Sequence, residues 1–275
     1  MRQVDTRYFD SPEWLYWTGC AANYDARIAR IVRATARILS AGGIRLRFIG
    51  ELEACCGDPA RRLGEEGLFQ QLALRNIDTL RSSHIGRIVT HCAHCFHVLK
   101  NEYPRFAGTF QVAHHSELIA CLLATKRLRI HPDTSVTATL HDSCYVGRYN
   151  RIFDAPRTIL QSIYSDRVVE MPRHAWHSFC CGGGGAGYWL DPSRTKDAGM
   201  VRMTEAASVG ARMVATECPF CLKMLERCAQ ATAADDQPLV KDIAEVVADA
   251  LEDGGYASQA CNSAKSIQYE DGPTT

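Results

Sequence analysis

Ten cysteines of this chain fall into two copies of one pattern. The first copy is Cys20, then Cys55-Cys56-Gly57, then Cys92 and Cys95 in a C-x-x-C. The second is Cys144, then Cys180-Cys181-Gly182, then Cys218 and Cys221. Corresponding members lie 124, 125, 125, 126 and 126 positions apart, a regularity that marks an internal duplication. Thiolates are soft metal ligands, and zinc or an iron–sulfur cluster ordinarily takes four of them. A set of five leaves one that bridges metals, binds a further iron or stays free. The alternative in either half, more so in the first, is a closed zinc site that only stabilises the fold. A vicinal disulfide at Cys55-Cys56 or Cys180-Cys181 is a second, strained alternative.

The elements that must bring these cysteines together repeat as well. In the first half, residues 15–17 are an apolar strand candidate leading to Cys20. Residues 27–41 carry Ile28, Ile31, Val32, Ile38 and Leu39 on one helical face, and Gly42-Gly43 stops them. A strand is predicted over 46–49 before Cys55, then a helix on the stripe Phe69, Leu72, Ala73, Ile77 and Leu80. A strand at 88–89 runs into Cys92, where a third helix starts, and Val112 and then 116–123 add a last strand and helix. The second half keeps this order. It has a strand at 136–140, a helix capped by Asp154 with Pro156 in its first turn, and a strand at 168–171. A helix at 196–208, a strand at 213–215, a helix opened by Pro219, a strand at 239–240 and a helix at 243–251 complete it.

The predicted fold class is therefore α/β: two pseudo-repeated Rossmann-like domains with small parallel sheets and right-handed crossovers. They are placed at 1–128 and 129–253, with a flexible tail over 254–275. Cys20 and Cys55 are 35 positions apart, too far to meet through local structure. If each cysteine group follows a strand, all of them emerge at the carboxyl edge of one sheet, where open α/β sheets bind ligands. The two cysteine edges are expected to face a common cleft.

Composition bounds the rest. At 46% hydrophobic and 23% charged the chain is ordinary globular protein, which excludes disorder, collagen and coiled coil. Lys+Arg and Asp+Glu both total 31, so no net positive field gathers nucleic acid or an anionic membrane. No apolar run approaches the roughly 18 residues of a membrane span. Residues 1–10 carry no apolar signal core, so the expectation is a cytoplasmic chain, peripheral to a membrane at most through a partner. Thirteen cysteines in a reducing compartment point to metal or redox chemistry.

Local wording narrows the class. It includes Cys55-Cys56-Gly57-Asp58-Pro59-Ala60-Arg61-Arg62-Leu63-Gly64, His114-His115-Ser116-Glu117, His141-Asp142-Ser143-Cys144-Tyr145-Val146-Gly147-Arg148 and Cys218-Pro219-Phe220-Cys221. With the cysteine pattern over 14–252, this resembles the CCG, or cysteine-rich, domains found in the B subunit of heterodisulfide reductase. It is also similar to the C-terminal part of the D subunit and of iron–sulfur subunits linked to electron-transfer flavoprotein, glycolate oxidase or lactate oxidase. The resemblance implies two [4Fe–4S] clusters of non-cubane type. One would be held by Cys20, Cys55, Cys56, Cys92 and Cys95, the other by Cys144, Cys180, Cys181, Cys218 and Cys221, with zinc in one half as the alternative. It implies an iron–sulfur subunit of a heterodisulfide-reductase-like complex, reducing or forming a small disulfide whose sulfurs meet iron between the clusters. The sequence shows no C-x-x-C-x-x-C-x-x-x-C-P segment of its own. Electrons are therefore expected from a ferredoxin-like iron–sulfur subunit and a flavin-containing subunit. A relay between a flavoprotein and a quinone or flavin partner is the second expectation, and a zinc-stabilised scaffold subunit the third.

His114, His115 and His141 stand at predicted strand ends. His115 and His141 are the candidates for supplying a proton to a departing thiolate, against the plainer role of a satisfied turn histidine. His91 and His94 in the first C-x-x-C region are matched by Glu217 and Phe220 in the second, which argues against a shared ligand role. Helix-start histidines bonded to backbone are expected there. Arg61, Arg62 and Arg148 are read as holding a substrate anion, capping sheet-edge carbonyls or meeting a partner. The glycine-rich run 182–187 reads as an anion nest around a cluster or substrate, and its spacing is wrong for a nucleotide loop. Cys121 and Cys228 are expected in the core and Cys261 in the tail.

Overall fold

Two all-parallel sheets organise the chain. The computed structural model describes residues 6–190, 192–231 and 237–252; the tail expected over 254–275, with Cys261, lies outside them. The first sheet holds β1 (Glu13–Trp17), β2 (Arg45–Arg47), β3 (Arg87–Thr90) and β4 (Gln111–His114) in the order β2-β1-β3-β4. The second holds β5 (Ala138–His141), β6 (Met213–Thr216) and β7 (Leu239–Asp242) in sequence order. Trp17 lies opposite Thr90 in one register and His141 opposite Thr216 in the other, so the pairs β1–β3 and β5–β6 end at matching positions. This is the α/β pseudo-repeat that the cysteine spacing implied.

The strand predicted over 168–171 shrinks to one bridge. Val168 pairs in parallel with Ala138, in the place that β2 holds beside β1. Pro172 lacks an amide hydrogen and restrains the residue before it, so the ladder stops there.

Nine α-helices among the described residues cover the sheets: α1 (Ala26–Ala41), α2 (Asp58–Arg62), α3 (Glu66–Ser82), α4 (Ala93–His97), α5 (His115–Ala124), α6 (Asp154–Tyr164), α7 (Pro192–Ser208), α8 (Pro219–Ala231) and α9 (Ile243–Ala250). β1 is buried on both faces through Trp14, Leu15, Tyr16 and Trp17, as a parallel strand between helical layers requires. Asp25 starts α1 by accepting hydrogen bonds from the amides of Arg27 (2.9 Å) and Ile28 (3.4 Å). The stripe Ile28, Ile31, Ile38 and Leu39 is buried. Asp154, expected as a cap, is instead the first residue inside α6, after Phe153.

The halves pack about a local twofold. α1 lies on α9, and α5 lies on α6. Each contact sets the first helix of one half on the last helix of the other. Arg27 of α1 crosses this seam to Glu245 of α9 and Glu226 of α8, at 2.6 Å to each. His115, which follows β4, places Nε2 3.2 Å from Oδ1 of Asp242, which ends β7, and both side chains are fully buried. The carboxyl edges of the two sheets therefore meet. Among the described residues no helix is long and apolar enough to cross a membrane.

Candidate metal centres

Five of the six cysteine groups follow the carboxyl end of a strand, and Cys180-Cys181 follows the Val168 bridge. Cys20 comes after β1, Cys55-Cys56 after β2, and Cys92 caps α4 after β3. The first five thiols neighbour one another as one chain of pairs: Cys20 with Cys55, Cys55 with Cys56, Cys56 with Cys95, and Cys95 with Cys92. The second set repeats the chain as Cys144–Cys180, Cys180–Cys181, Cys181–Cys221 (3.2 Å between sulfurs) and Cys221–Cys218. All ten are free thiols. Cys20, Cys55, Cys144 and Cys180 are half-buried, and the other six are buried.

Backbone amides reinforce the sulfurs. Gly57 N–H donates to Cys55 Sγ at 3.4 Å, Gly182 N–H to Cys180 Sγ at 3.3 Å and Gly183 N–H to Cys181 Sγ at 3.4 Å. The donors Gly57 and Gly182 sit at φ of +91° and +88°, a conformation that suits glycine. Neighbouring thiols first, and then these amides, hold Cys55 and Cys180 far below the usual thiol range. Hydrogen bonding to those same sulfurs, with burial, pushes Cys20 and Cys144 up. Five thiols in one low-dielectric pocket cannot all ionise alone, and bound cations remove that conflict. Soft sulfur donors with amide hydrogens aimed at them fit an iron–sulfur centre, and their number exceeds the four that zinc takes. Of the run 182–187, the amides of Gly182 and Gly183 serve the thiols. At Gly187 a Cβ would lie 2.2 Å from the Gly182 carbonyl oxygen, so the loop closes only on glycine.

Two carboxylates that sequence reasoning passed over hold the cysteine loops. Glu53 accepts hydrogen bonds from Thr18 N–H (3.0 Å), Gly19 N–H (2.5 Å) and Thr18 Oγ1 (3.2 Å), which ties the Cys55 loop to the Cys20 loop. Burial nevertheless pushes its carboxyl up to about 7. In the second half Asp142 does the corresponding work from the other strand. It accepts from Arg157 at 2.7 and 3.0 Å and from Ala175 N–H at 2.7 Å. Glu53→Ala is expected to cost about 2 kcal/mol of stability, the scale of losing hydrogen bonds to a buried carboxyl. It should deplete metal from the first set while the second stays loaded. Urea melts with metal analysis per chain check this, and a variant with wild-type metal content would show that Glu53 does not position Cys20.

The histidines divide. A ring nitrogen of His141 and the sulfurs of Cys181 and Cys221 all lie within 4.8 Å of one another. Nδ1 of His141 accepts from Arg202 Nε at 3.3 Å, and burial, helped by the Arg202 charge, lowers its pKa to about 3. It is a neutral imidazole among thiols. His115 is instead tied to Asp242 on the twofold, with the His114 ring 4.4 Å away. His91 meets the Tyr16 hydroxyl at 2.9 Å through Nδ1. Arg61 and Arg62 bind the carboxylate of Glu102, Arg62 also binds Asp58, and Arg148 donates to the Ser178 carbonyl.

His94 departs furthest from expectation. Rather than bonding to backbone, it places Nδ1 2.9 Å from Asp58 Oδ2 and also hydrogen-bonds Cys218 of the other half. Its ring packs between Phe220 (4.8 Å) and Tyr145 (4.9 Å). The mismatch of His94 with Phe220 in the two C-x-x-C motifs was the only sequence signal for it. Trp189, Pro219 and Phe220 from the second half also line the pocket of the first set. The edges face each other, and these side chains line a small pocket together with the first five thiols.

Paired parallel sheets, each gathering five thiols at its carboxyl edge, define a class of tandem cysteine-rich α/β proteins. The chain belongs to the CCG family, whose cysteine-rich domain matches residues 14–100 and 138–226. It is 35% identical over 247 residues to the "EtfAB:quinone oxidoreductase" of Syntrophomonas wolfei, which covers 87% of this chain and 34% of that one. It is 37% identical over 239 residues to the "Probable iron-sulfur-binding oxidoreductase FadF" of Bacillus subtilis, with the same coverage of 87% and 34%. With the D subunit of the dihydromethanophenazine:CoB--CoM heterodisulfide reductase of Methanosarcina barkeri it shares 32% over 253 residues, 90% of this chain and 61% of that one. The chain thus spans about a third of the length of the first two relatives. A hypothetical protein from Helicobacter pylori shares the fold, with a TM-score of 0.56 at 8% identity over 87% of this chain and 49% of that one.

Proposed function

We propose that this chain is the iron–sulfur subunit of a heterodisulfide-reductase-like oxidoreductase complex and carries electrons between two thiolate-held centres. The observation that supports this most is His94. It stands between Cys92 and Cys95 of one set and packs its ring 4.8 Å from Phe220, between Cys218 and Cys221 of the other, so a single side chain spans both sites. Non-cubane [4Fe–4S] clusters on Cys20, Cys55, Cys56, Cys92 and Cys95, and on Cys144, Cys180, Cys181, Cys218 and Cys221, would supply one-electron transfer and an iron open to a substrate sulfur. The chain itself orients the thiolates, gives them amide hydrogens, and shields the first set from water with Trp189, Pro219 and Phe220. His141 and His115 act here by holding hydrogen bonds, at Arg202 and at Asp242 respectively.

Within this reading the buried, bridged geometry suits a relay between a flavoprotein and a quinone or flavin partner, in line with the name of the Syntrophomonas relative. Disulfide chemistry is the second reading. It is favoured by the half-buried Cys20, Cys55, Cys144 and Cys180, which stand at the outer end of each thiol chain. Reduction of a small disulfide would consume two electrons and two protons and yield two thiols. Electrons would come from a ferredoxin-like iron–sulfur subunit and a flavin-containing subunit, in the cytoplasm.

Anaerobically purified protein is expected to carry iron and acid-labile sulfide in comparable amounts. Zinc without iron or sulfide would replace this reading with the scaffold. An iron-loaded chain whose electron paramagnetic resonance spectrum ignores every disulfide offered would leave only the relay.

A further inference from the structure

The two thiol sets occupy matching places in matching folds, yet their polar surroundings differ at three corresponding positions. The residue that ends β1 is Trp17, and the one that ends β5 is His141. The residue before the first cysteine is Gly19 in one half and Ser143 in the other. The second residue inside the C-x-x-C is His94 in one and Phe220 in the other.

At each position the second set has the polar neighbour. His141 lies among Cys181 and Cys221. Ser143 Oγ donates to Cys221 Sγ at 3.6 Å. His94, although it belongs to the first half, packs its ring 4.8 Å from Phe220, between Cys218 and Cys221, and so stands beside Cys218. On the first set, the position of Ser143 is a glycine and the position of His94 is the ring of Phe220, which has no donor. Trp17 Nε1 is buried without a hydrogen-bond partner. His94 is also held in place from behind: Asp58 Oδ2 fixes Nδ1 at 2.9 Å, Phe220 and Tyr145 clamp the ring, and Arg62 anchors Asp58 at 3.1 Å. A carboxylate accepts only, so Nδ1 carries a hydrogen, and Nε2 is the ring nitrogen left to face Cys218.

We propose that the second set holds the higher-potential centre of the two, and that His94 is the positioning residue that sets the gap. This rests on reading both sets as iron–sulfur ligands. Hydrogen bonds to ligand sulfur draw charge from it and favour the reduced, more negative state. The first set, with fewer such bonds, gives up an electron more readily. One electron supplied by a partner's iron–sulfur centre enters the first set and passes to the second. The first is oxidised by one electron and the second reduced by one, with no bond made or broken.

The test is a dithionite titration of the anaerobic, iron-loaded full chain at fixed potentials, followed by electron paramagnetic resonance. Cys56→Ala and Cys181→Ala chains, each without the middle thiol of one set, assign the two signals. The wild-type chain is expected to reduce its second centre first. His94→Phe makes the halves alike at this position. It should shift the electron partition between centres at least tenfold towards the first, which is 59 mV for a one-electron couple, by lowering the second centre alone. His94→Gln keeps a donor and should recover part of the gap; it also decides the matter if His94→Phe fails to load iron. A first centre that reduces first or together with the second, or a His94→Phe shift confined to the first centre, overturns the proposal while leaving the electron-carrier reading standing. A chain that binds no iron overturns both.

Discussion

Cys181→Ala is expected to remove about half of the iron that the chain binds, while the signal of the first centre stays intact. Cys181 is the middle of the second thiol chain. It touches Cys180 on one side and Cys221, at 3.2 Å, on the other, and it receives the amide hydrogen of Gly183 at 3.4 Å. Its sulfur is also within 4.8 Å of a His141 nitrogen. Without it, Cys144 and Cys180 are cut off from Cys218 and Cys221, and no four neighbouring thiols remain on that side. The side chain is buried and small, so the fold should lose only the packing of one sulfur, on the order of 1 kcal/mol. Far-ultraviolet circular dichroism should match wild type, which separates a lost ligand from a lost fold. Iron per chain equal to wild type would mean that Cys181 is a core thiol and that the second set is not a ligand set. The corresponding substitution, Cys56→Ala, should erase the other signal and leave this one.

Arg27→Met is expected to destabilise the protein by about 2–3 kcal/mol and to loosen the seam between the halves. The guanidinium forms a fork on Glu245, with Nη1 and Nη2 at 2.6 and 2.7 Å, and Nε donates to Glu226 at 2.6 Å. Planar, bidentate pairing of this kind is the strong form of an ion pair. Removing the cation leaves two carboxylates facing each other at a largely buried seam, where an uncompensated charge costs most. Glu245 also receives the amide of Asp242 at 3.1 Å, closing the capping box that starts α9, so its disturbance reaches the helix that carries the twofold contact. Arg30 supplies the control. Its Nε lies 3.7 Å from Glu245, but the side chain is 64% exposed, so Arg30→Met should cost under about 0.5 kcal/mol. Urea unfolding measures both. A lower midpoint for Arg27→Met with an unchanged slope is the expected pattern, and equal midpoints for the two variants would show that the seam does not depend on the fork.

Much of the site was legible along the chain because its cysteines are spaced by whole β-α units. Cys20, Cys55 and Cys92 each follow a strand, and strands of one parallel sheet deliver their carboxyl ends to one edge. The paired offsets between halves then implied a second, equal gathering. The glycines beside Cys56 and Cys181 were readable as turn formers, and the structure adds that their amides donate to sulfur. Glu53 and Asp142 escaped notice because each carboxylate serves backbone amides some thirty residues away, which no local period records. His94 and His115 were assigned roles from their immediate neighbours in sequence. Their partners, Cys218 and Asp242, are more than a hundred positions away.

Sequence alone determined the duplication, the alternation of strand and helix, and the ten cysteines that the fold gathers, because apolar period and residue spacing are local properties that survive in a one-dimensional record. Tertiary structure alone decided how the halves treat each other: Arg27 closing on Glu245, Trp189 and Phe220 covering the opposite thiols, and His94 reaching from one set to the next. These contacts depend on the angle at which α1 meets α9 and α5 meets α6. That angle follows from the packing of whole surfaces, and no single segment of the chain carries it.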